Sequence, residues 1–319
     1  MNHEVLSTRS IDRVETAFAD VDTTVIPKRR YEREELISRI GEARGLFVHS
    51  ENTFDDVVID RAPNLEAIAK PGSGIDNIDL DAATEAGVVV LHTPGMNAVA
   101  VAEFTVGAIL ARLRRLPEAQ AHLAEGGWRS EDWWGTELRG KTVGIVGLGA
   151  AGMETATRLD PFCEEFLVYD PYVDDDRVAA IDGESASLEE VLSASDLVSI
   201  HVRLTPETRG MIGAEELATL GPDAYLVNTS RGPVVEREAL VEALESGTIA
   251  GAVLDVFHEE PPDADDPILD QDTAFTTPHL AGATTETRTQ MLNVAAENLI
   301  AVLDGRDVPT EYVANPSVL

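Results

Sequence analysis

Between positions 144 and 152 the chain reads Gly144-Ile145-Val146-Gly147-Leu148-Gly149-Ala150-Ala151-Gly152, a G-x-G-x-x-G pattern directly behind a short apolar run, Thr142 to Val146. Asp170 follows a second apolar run, Phe166 to Tyr169, and lies 23 positions beyond Gly147. That spacing suits a strand–turn–helix–strand unit able to hold a dinucleotide. Gly147 permits the tight turn, Gly149 lets backbone N–H groups approach a pyrophosphate, and Gly152 lets the helix lie close to the strand. The helix N-terminus turns partial positive charge toward the phosphates. A glycine-rich turn without function is the plainer alternative, but it leaves the strand, the helix and the distal carboxylate unexplained.

The elements that must position such a site follow an α/β rhythm. In the first ~95 residues, Gly45 to His49, Leu65 to Ala69 and Val88 to Leu91 read as strands. Glu51 to Arg61 reads as turn plus helix, and Leu36 to Glu42 and Leu80 to Ala86 fit helices. Pro94-Gly95 breaks the pattern. Ala98 to Leu116 is expected to be one long apolar helix ended by Pro117, buried and available to a subunit interface. From Lys141 onward the expected strands are Thr142–Val146, Phe166–Tyr169, Leu197–Ile200, Tyr225–Asn228, Ala250–Asp255 and Ala274–Thr276. Helical segments between most of them imply a parallel, doubly wound sheet. The helix Thr285 to Asp304 is long enough to return the chain to the first domain. The expected organisation is two α/β lobes with a cleft between them, residues 1–96 plus 285–319 forming one and residues 97–284 the other.

Composition narrows the classes of function. At 319 residues the chain suits about two domains. Hydrophobic residues make up 44%, and no apolar run approaches the ~20 residues of a membrane span. The opening Met1-Asn2-His3-Glu4 shows no signal peptide. Cys163 is the single cysteine, which excludes an intrachain disulfide and a cysteine-only metal site and suits a reducing cytoplasm. No His/Asp/Glu spacing argues for metal. A net charge of −34 repels nucleic acid and anionic membranes, so neither is expected as a partner. A specific cationic partner would explain the charge. The spread of acid along the chain, with lysine confined to Lys28, Lys70 and Lys141, better fits a halophilic protein adapted to a salt-rich cytoplasm.

Several separate blocks resemble the D-isomer-specific 2-hydroxyacid dehydrogenases, in that family's order, over about Gly45 to Asp304. They are Gly140-Lys141-Thr142-Val143-Gly144-Ile145-Val146-Gly147-Leu148-Gly149, Asn228-Thr229-Ser230-Arg231-Gly232, Asp255-Val256-Phe257-His258-Glu259-Glu260-Pro261 and Thr277-Pro278-His279-Leu280-Ala281-Gly282. The resemblance implies a Rossmann cofactor domain inserted in a smaller flavodoxin-like substrate domain. It also implies hydride transfer between NAD(H) and a 2-hydroxy or 2-oxo acid. Arg231 then matches the substrate arginine, whose planar fork grips a carboxylate and polarises the neighbouring carbonyl. His279 matches the acid/base, and Glu260, directly before proline, its partner. Plainer readings stand beside these: Arg231 capping a turn, Glu259 as the rival of Glu260, and His279 as a structural histidine.

Cofactor contacts are implied in the same way for Gly147, Gly149, Ala150, Ala151, Gly152, His201, Thr208, Thr229, Ser230, Arg231, His279 and Gly282. Asp170 is expected to hold the adenosine ribose hydroxyls and Asp255 the nicotinamide carboxamide. A carboxylate at Asp170 favours NAD, with NADP as second choice. Arg203 stands where the family often has proline, and its charge leaves dual use open. His201 has a strand-end reading nearly as good. His3, His122 and His258 are expected to be solvent-exposed.

For substrate, Gly72-Ser73-Gly74-Ile75-Asp76 resembles the loop whose backbone N–H groups hold the substrate carboxylate. A plain turn is the alternative. Leu65 to Leu91 and Pro94 to Glu103 look most like 3-phosphoglycerate dehydrogenases, yet His49, in Val48-His49-Ser50, replaces an arginine of those enzymes. Lys70 and Arg61 are the cations that would have to compensate. Trp128, Trp133 and Trp134 are packing or pocket-wall residues. A homodimer built around the Ala98–Leu116 helix is implied, as is closure about Pro94–Ala98 and Gly282–Thr285. The leading reading is an NAD(H)-dependent 2-oxoacid reductase. Its rivals are 3-phosphoglycerate dehydrogenase and, from another class, an NAD(H)-sensing corepressor-like binding protein.

Overall fold

The computed structural model describes residues 3–8, 17–18, 23–27, 31–49, 52–129 and 134–319. Lys28, Ser50, Glu51 and Trp133 lie outside the described residues, as do Met1, Asn2 and the side chain of His3. The chain divides into two compact units, Met1–Asn97 with Thr284–Leu319, and Ala98–Ala283.

The first unit holds five strands: β1 (His3–Ser7), β2 (Thr23–Pro27), β3 (Gly45–Phe47), β4 (Ala67–Lys70) and β5 (Val89–His92). They pair in parallel in the order β2-β1-β3-β4-β5, the flavodoxin-like winding. Near-continuous apolar strands need cover on both faces, and successive residues serve opposite sides. Val5, Phe47, Ala67, Ala69 and Leu91 meet Leu292, Ala295, Ala296, Leu299 and Leu303 of the Thr285–Leu303 helix. Leu6, Leu46, Ile68 and Val90 meet Leu36 and Ile40 of the Arg33–Ile40 helix, together with Val58, Ile59 and Ala83. The C-terminal segment shields β5: Asn315 accepts the Val90 N–H at 2.8 Å and donates to the Val88 carbonyl at 2.9 Å. A paired edge is closed to stray strands.

The second unit holds β6 (Thr142–Val146), β7 (Glu165–Tyr169), β8 (Gly183–Ser185), β9 (Leu197–Ile200), β10 (Tyr225–Asn228), β11 (Gly251–Leu254) and β12 (Ala274–Thr276). All pairs are parallel, in the order β12-β11-β10-β9-β6-β7-β8. Counted within this unit, the winding is that of a Rossmann sheet with one added strand, and its switch point lies between β6 and β9. Because every strand points the same way, the loops after β6, β7, β9, β10, β11 and β12 open at one edge.

Some elements differ from the sequence-based expectation. The Ala98–Leu113 helix stops three residues early, at Arg115 with φ of 51°, and a second helix, Leu116–Ala124, begins there. Pro117 starts that helix instead of ending the first, since proline is tolerated in a first turn where no N–H is needed. The buried face of Ala98–Leu113, with Ala108, Ile109 and Leu113, packs inside its own unit with Ala156 and Leu159 of the Ala150–Leu159 helix. Strands β1, β2 and β8 were not anticipated; β8, Gly-Glu-Ser, has no apolar residue to announce it. Among the described residues no helix is long and apolar enough to cross a membrane.

Candidate active site

The loop after β6 is shaped by its glycines. Gly147 has φ of +94°, and a Cβ on it would lie 2.9 Å from the His201 carbonyl carbon and the Val202 nitrogen. A Cβ on Gly152 would meet the Gly147 carbonyl oxygen at 2.2 Å, so only glycine lets this helix sit so near its strand. Gly149 faces open space, with nothing within 4 Å of its Cβ position. Ala150 and Ala151 open the ten-residue helix behind it. Asp170 closes the far side, accepting the Leu148 N–H at 2.8 Å and the Tyr172 N–H at 3.0 Å. Open space before a bare backbone, a helix N-terminus and a distal carboxylate fit a dinucleotide.

The loop after β9 begins with His201, whose Nε2 lies 2.9 Å from the Ser199 hydroxyl. Burial pushes its pKa from 6.5 down to about 4, so the ring is neutral near pH 7. Thr208 is engaged within this loop, accepting the Thr205 N–H at 2.8 Å and donating to the Arg203 carbonyl at 2.5 Å.

After β10, Asn228 builds the turn that carries Arg231. Its Oδ1 accepts the Ser230 N–H and hydroxyl, at 3.0 and 2.8 Å, and its Nδ2 donates to the Arg231 carbonyl at 2.9 Å. Sequence reading assigned Asn228 no such role. Thr229 is buried and its hydroxyl lies 3.2 Å from that of Thr105, turned toward the Ala98–Leu113 helix. A Cβ on Gly232 would lie 2.1 Å from the Phe257 carbonyl carbon and oxygen. This glycine therefore brings the Arg231 turn against the segment that carries Glu260.

Glu260 and His279 come from the loops after β11 and β12. His279 Nδ1 lies 2.6 Å from Glu260 Oε2, while Glu260 Oε1 accepts the Phe257 N–H at 3.1 Å. Burial alone would raise the Glu260 pKa, but the His279 hydrogen bond and charge, the Phe257 N–H and the Arg231 guanidinium together hold it below the ordinary 4.5. Glu259 is exposed, with no hydrogen bond among the described residues, so the choice between the two glutamates falls on the one that touches the imidazole. His279 itself has φ of 52°, a left-handed conformation costly for a non-glycine residue.

Asp255 holds it there. Fully buried, Asp255 accepts the Thr277 hydroxyl at 2.7 Å, the Leu280 N–H at 2.8 Å and the Ala281 N–H at 2.7 Å. Its own carbonyl takes the His279 N–H at 2.9 Å. Its oxygens are thereby engaged with the His279 loop at the position where the resemblance implies a hold on the cofactor carboxamide. Gly282 sits inside the turn closed by Ala283 N–H on the Leu280 carbonyl, 2.8 Å. His258, although exposed, lies 2.6 Å from the Val235 carbonyl, and half-buried His122 lies 3.1 Å from that of Trp128.

In the first unit, the Gly72-Ser73-Gly74 loop follows β4. The Gly72 N–H is spent on the Thr93 hydroxyl at 2.8 Å, so it does not join the expected anion-binding set. Among the described residues no acceptor takes the N–H of Ser73 or Gly74. The Ser73 hydroxyl donates to Asn97 at 3.0 Å and accepts the Gly95 N–H. Lys70 is buried, its Nζ 2.5 Å from Asn77 Oδ1, and Asn77 in turn donates to the His49 carbonyl at 3.2 Å. Arg61 lies beside Gly41, before β3 begins, at the opposite strand ends from the Gly72 loop. Among the described residues no group of three His, Cys, Asp or Glu is arranged to hold a metal ion.

A dinucleotide-shaped loop and a carboxylate-bound imidazole on one Rossmann unit define a nicotinamide-dependent oxidoreductase of the α/β class. Residues 106–281 match the model of the D-isomer specific 2-hydroxyacid dehydrogenase NAD binding domain. A glyoxylate reductase of Thermofilum pendens is 45% identical over 293 residues, 90% of this chain and 86% of that protein. A D-3-phosphoglycerate dehydrogenase of Archaeoglobus fulgidus is 36% identical over 99% of this chain, which spans only 59% of that protein's length. The structure of Aquifex aeolicus D-lactate dehydrogenase with NAD and lactic acid superposes with a TM-score of 0.90 at 25% identity, covering 98% of this chain and 99% of that one. The chain belongs to the D-isomer specific 2-hydroxyacid dehydrogenase family.

Proposed function

We propose that this enzyme reduces a small, unphosphorylated 2-oxo acid to the D-2-hydroxy acid, with His279 as proton donor and Arg231 as the group that grips and polarises the substrate. The observation that carries this reading is the 2.6 Å contact between Glu260 and the Nδ1 of His279. With Nδ1 fixed on a carboxylate, Nε2 is left to give a proton to the carbonyl oxygen and to take it back in the reverse direction. Glu260 orients the ring, and Arg231 supplies a planar cation for carboxylate and carbonyl oxygens. The nicotinamide, when bound, supplies or accepts the hydride. Gly147, Gly149, Ala150, Ala151, Gly152 and Asp170 hold the cofactor, and the N–H groups of Ser73 and Gly74 take the substrate carboxylate.

Small substrates are favoured over phosphorylated ones because, among the described residues, the first unit offers no accessible cation near its glycine loop. His49 stands in the arginine position, Lys70 is buried against Asn77, and Arg61 is at the wrong strand ends. We further propose a homodimer and a cytoplasmic location. Support for the dimer is the exposed apolar set Leu116, Leu123, Trp128 and Trp134, the tryptophans 78% and 77% exposed. Support for the compartment is the single cysteine. Steady-state NADH oxidation with glyoxylate and pyruvate, set against NAD reduction with 3-phosphoglycerate, tests the substrate. Turnover on the 2-oxo acids that drops by roughly 100-fold or more in Arg231→Ala and His279→Ala is expected. Preference for 3-phosphoglycerate, or unchanged turnover in both variants, rejects the assignment.

A further inference from the structure

The geometry points to His258 as a positioning residue: its hydrogen bond to the Val235 carbonyl fixes where Glu260, and through it the His279 ring, stands relative to the Arg231 turn. The inference rests on the roles proposed above for Arg231, Glu260 and His279 and adds a residue outside that set. His258 precedes Glu260 by two positions, and its Nε2 lies 2.6 Å from the carbonyl oxygen of Val235, four positions beyond Arg231. A carbonyl can only accept, so Nε2 carries the hydrogen and donates it. The same two segments touch a second time, where a Cβ on Gly232 would lie 2.1 Å from the Phe257 carbonyl carbon and 2.6 Å from the His258 nitrogen. Glu260 is tied back to its own segment, its Oε1 accepting the Phe257 N–H at 3.1 Å. Any shift of residues 257–260 therefore reaches the carboxylate that sits 2.6 Å from His279 Nδ1.

Val235 is a fixed post. On its other side Ile212 donates to the Val234 carbonyl at 3.2 Å and accepts the Glu236 N–H at 2.9 Å. Between the two segments packing is incomplete: a cavity of about 30 Å³ is lined by Gly232, Val235 and Leu240 from one and by Phe257, His258 and Ile268 from the other. Walls that face a void have no van der Waals partners to fix their separation, so the ties that cross it set the spacing. His258 supplies one beside Glu260. Further along both segments Arg237 and Asp266 supply another, with Nε 3.2 Å from Oδ2 and Nη2 3.0 Å from Oδ1. That bidentate pair keeps the segments joined when the His258 donor is lost. The loss then displaces Glu260 without unfolding the loop, and a misplacement on the order of 1 Å is enough to slow the chemical step severely. The plainer reading, a surface histidine that happens to meet a carbonyl, leaves catalysis indifferent to it.

The test is steady-state NADH oxidation with glyoxylate, together with NADH titration and thermal melts, on His258→Ala, His258→Phe and His258→Gln beside Arg231→Ala and His279→Ala. Alanine and phenylalanine both remove the donor, and phenylalanine keeps a ring against the cavity. Glutamine returns an N–H at a similar reach. His258→Ala and His258→Phe are expected to lose about 10-fold in kcat, with NADH affinity within about 2-fold of wild type. Their melting temperatures should fall by no more than about 4 °C, and His258→Gln should recover most of kcat. Wild-type kcat in the alanine and phenylalanine variants overturns the inference. So does a phenylalanine variant that keeps the kcat alanine loses, which would make the ring a filler and not a donor. Parallel loss of kcat, NADH affinity and melting temperature would mean general loosening and also overturns it. If Arg231→Ala and His279→Ala lose turnover while the His258 variants keep it, the inference alone fails. If those two retain turnover, the proposed roles fail and the inference falls with them. Should the alanine protein not fold, the phenylalanine and glutamine variants carry the comparison.

Discussion

At the scale of single residues, Asp255 and His201 make the sharpest claims. Asp255 accepts three side-chain hydrogen bonds and one backbone bond from the loop that carries His279 in a left-handed conformation. Asparagine there would turn an N–H toward at least one donor. Asp255→Asn is therefore expected to cost about 1–3 kcal/mol of stability and to lower kcat by roughly 10-fold or more, with NADH affinity nearly unchanged. Thermal melts, steady-state rates and NADH titration check this together; a variant with normal kcat that no longer binds NADH would put the carboxylate on the cofactor instead. For His201, the folded pKa of about 4 lies below the ordinary 6.5. The unfolded chain takes the proton first, so stability is complete above 6.5 and falls as pH drops toward 4. The loss from this one ring amounts to roughly 2 kcal/mol between about pH 7 and about pH 5. Denaturant unfolding of His201→Gln should lack that portion of the pH dependence, and identical slopes in the two proteins would show the ring to be solvated.

At the scale of elements, two glycines separate fold from binding. Gly232 presses on the Phe257 backbone, and Phe257 holds Glu260, so Gly232→Ala must move the loop between β11 and the acid/base pair. It is expected to destabilise by about 1–3 kcal/mol and to lower kcat together with stability. Gly149 meets nothing, so Gly149→Ala should leave the melting temperature alone and weaken NADH binding, because the added methyl stands where phosphate approaches. Melting and NADH affinity measured on both variants check the contrast; a Gly149→Ala protein that binds NADH normally would move the pyrophosphate elsewhere. These contacts also mark how far the sequence could be read. Strand ends, the glycine loop and the contact between Glu260 and His279 were legible because each is a residue type at a fixed place in a βα rhythm. The work of Asp255 was not, since its partners depend on a φ of 52° at His279 that no periodicity signals. Nor was the Thr93 hydroxyl that consumes the Gly72 N–H from 21 positions away. The apolar run through Leu116 hid a helix break because burial continues across it while the backbone turns at Arg115.

At the scale of the whole molecule, charge decides the conditions under which this fold is stable. Acids number 58 against 24 Lys and Arg, so an excess of 34 negative charges remains even if every base is paired. Two effects of salt then compete. Salt weakens ion pairs such as Arg33–Asp55, Arg44–Glu66, Lys141–Asp196 and Arg237–Asp266, each worth no more than about 1 kcal/mol at the surface. It also screens the mutual repulsion of the excess acids, as the Debye length shrinks from about 10 Å at 0.1 M to about 3 Å at 1 M. Like charges outnumber the pairs several-fold and are spread over both units, so screening wins. The melting temperature should rise by on the order of 10 °C from dilute buffer to molar KCl, with NADH-dependent turnover rising in step as the folded fraction grows. Melts in NaCl and KCl at equal ionic strength separate plain screening from specific cation binding: equal gains in both mean screening, and a gain confined to one cation means a bound ion. A melting temperature that is flat or falls with salt would show that the acids are neutralised within the fold, and the halophilic reading of this surface would have to be given up.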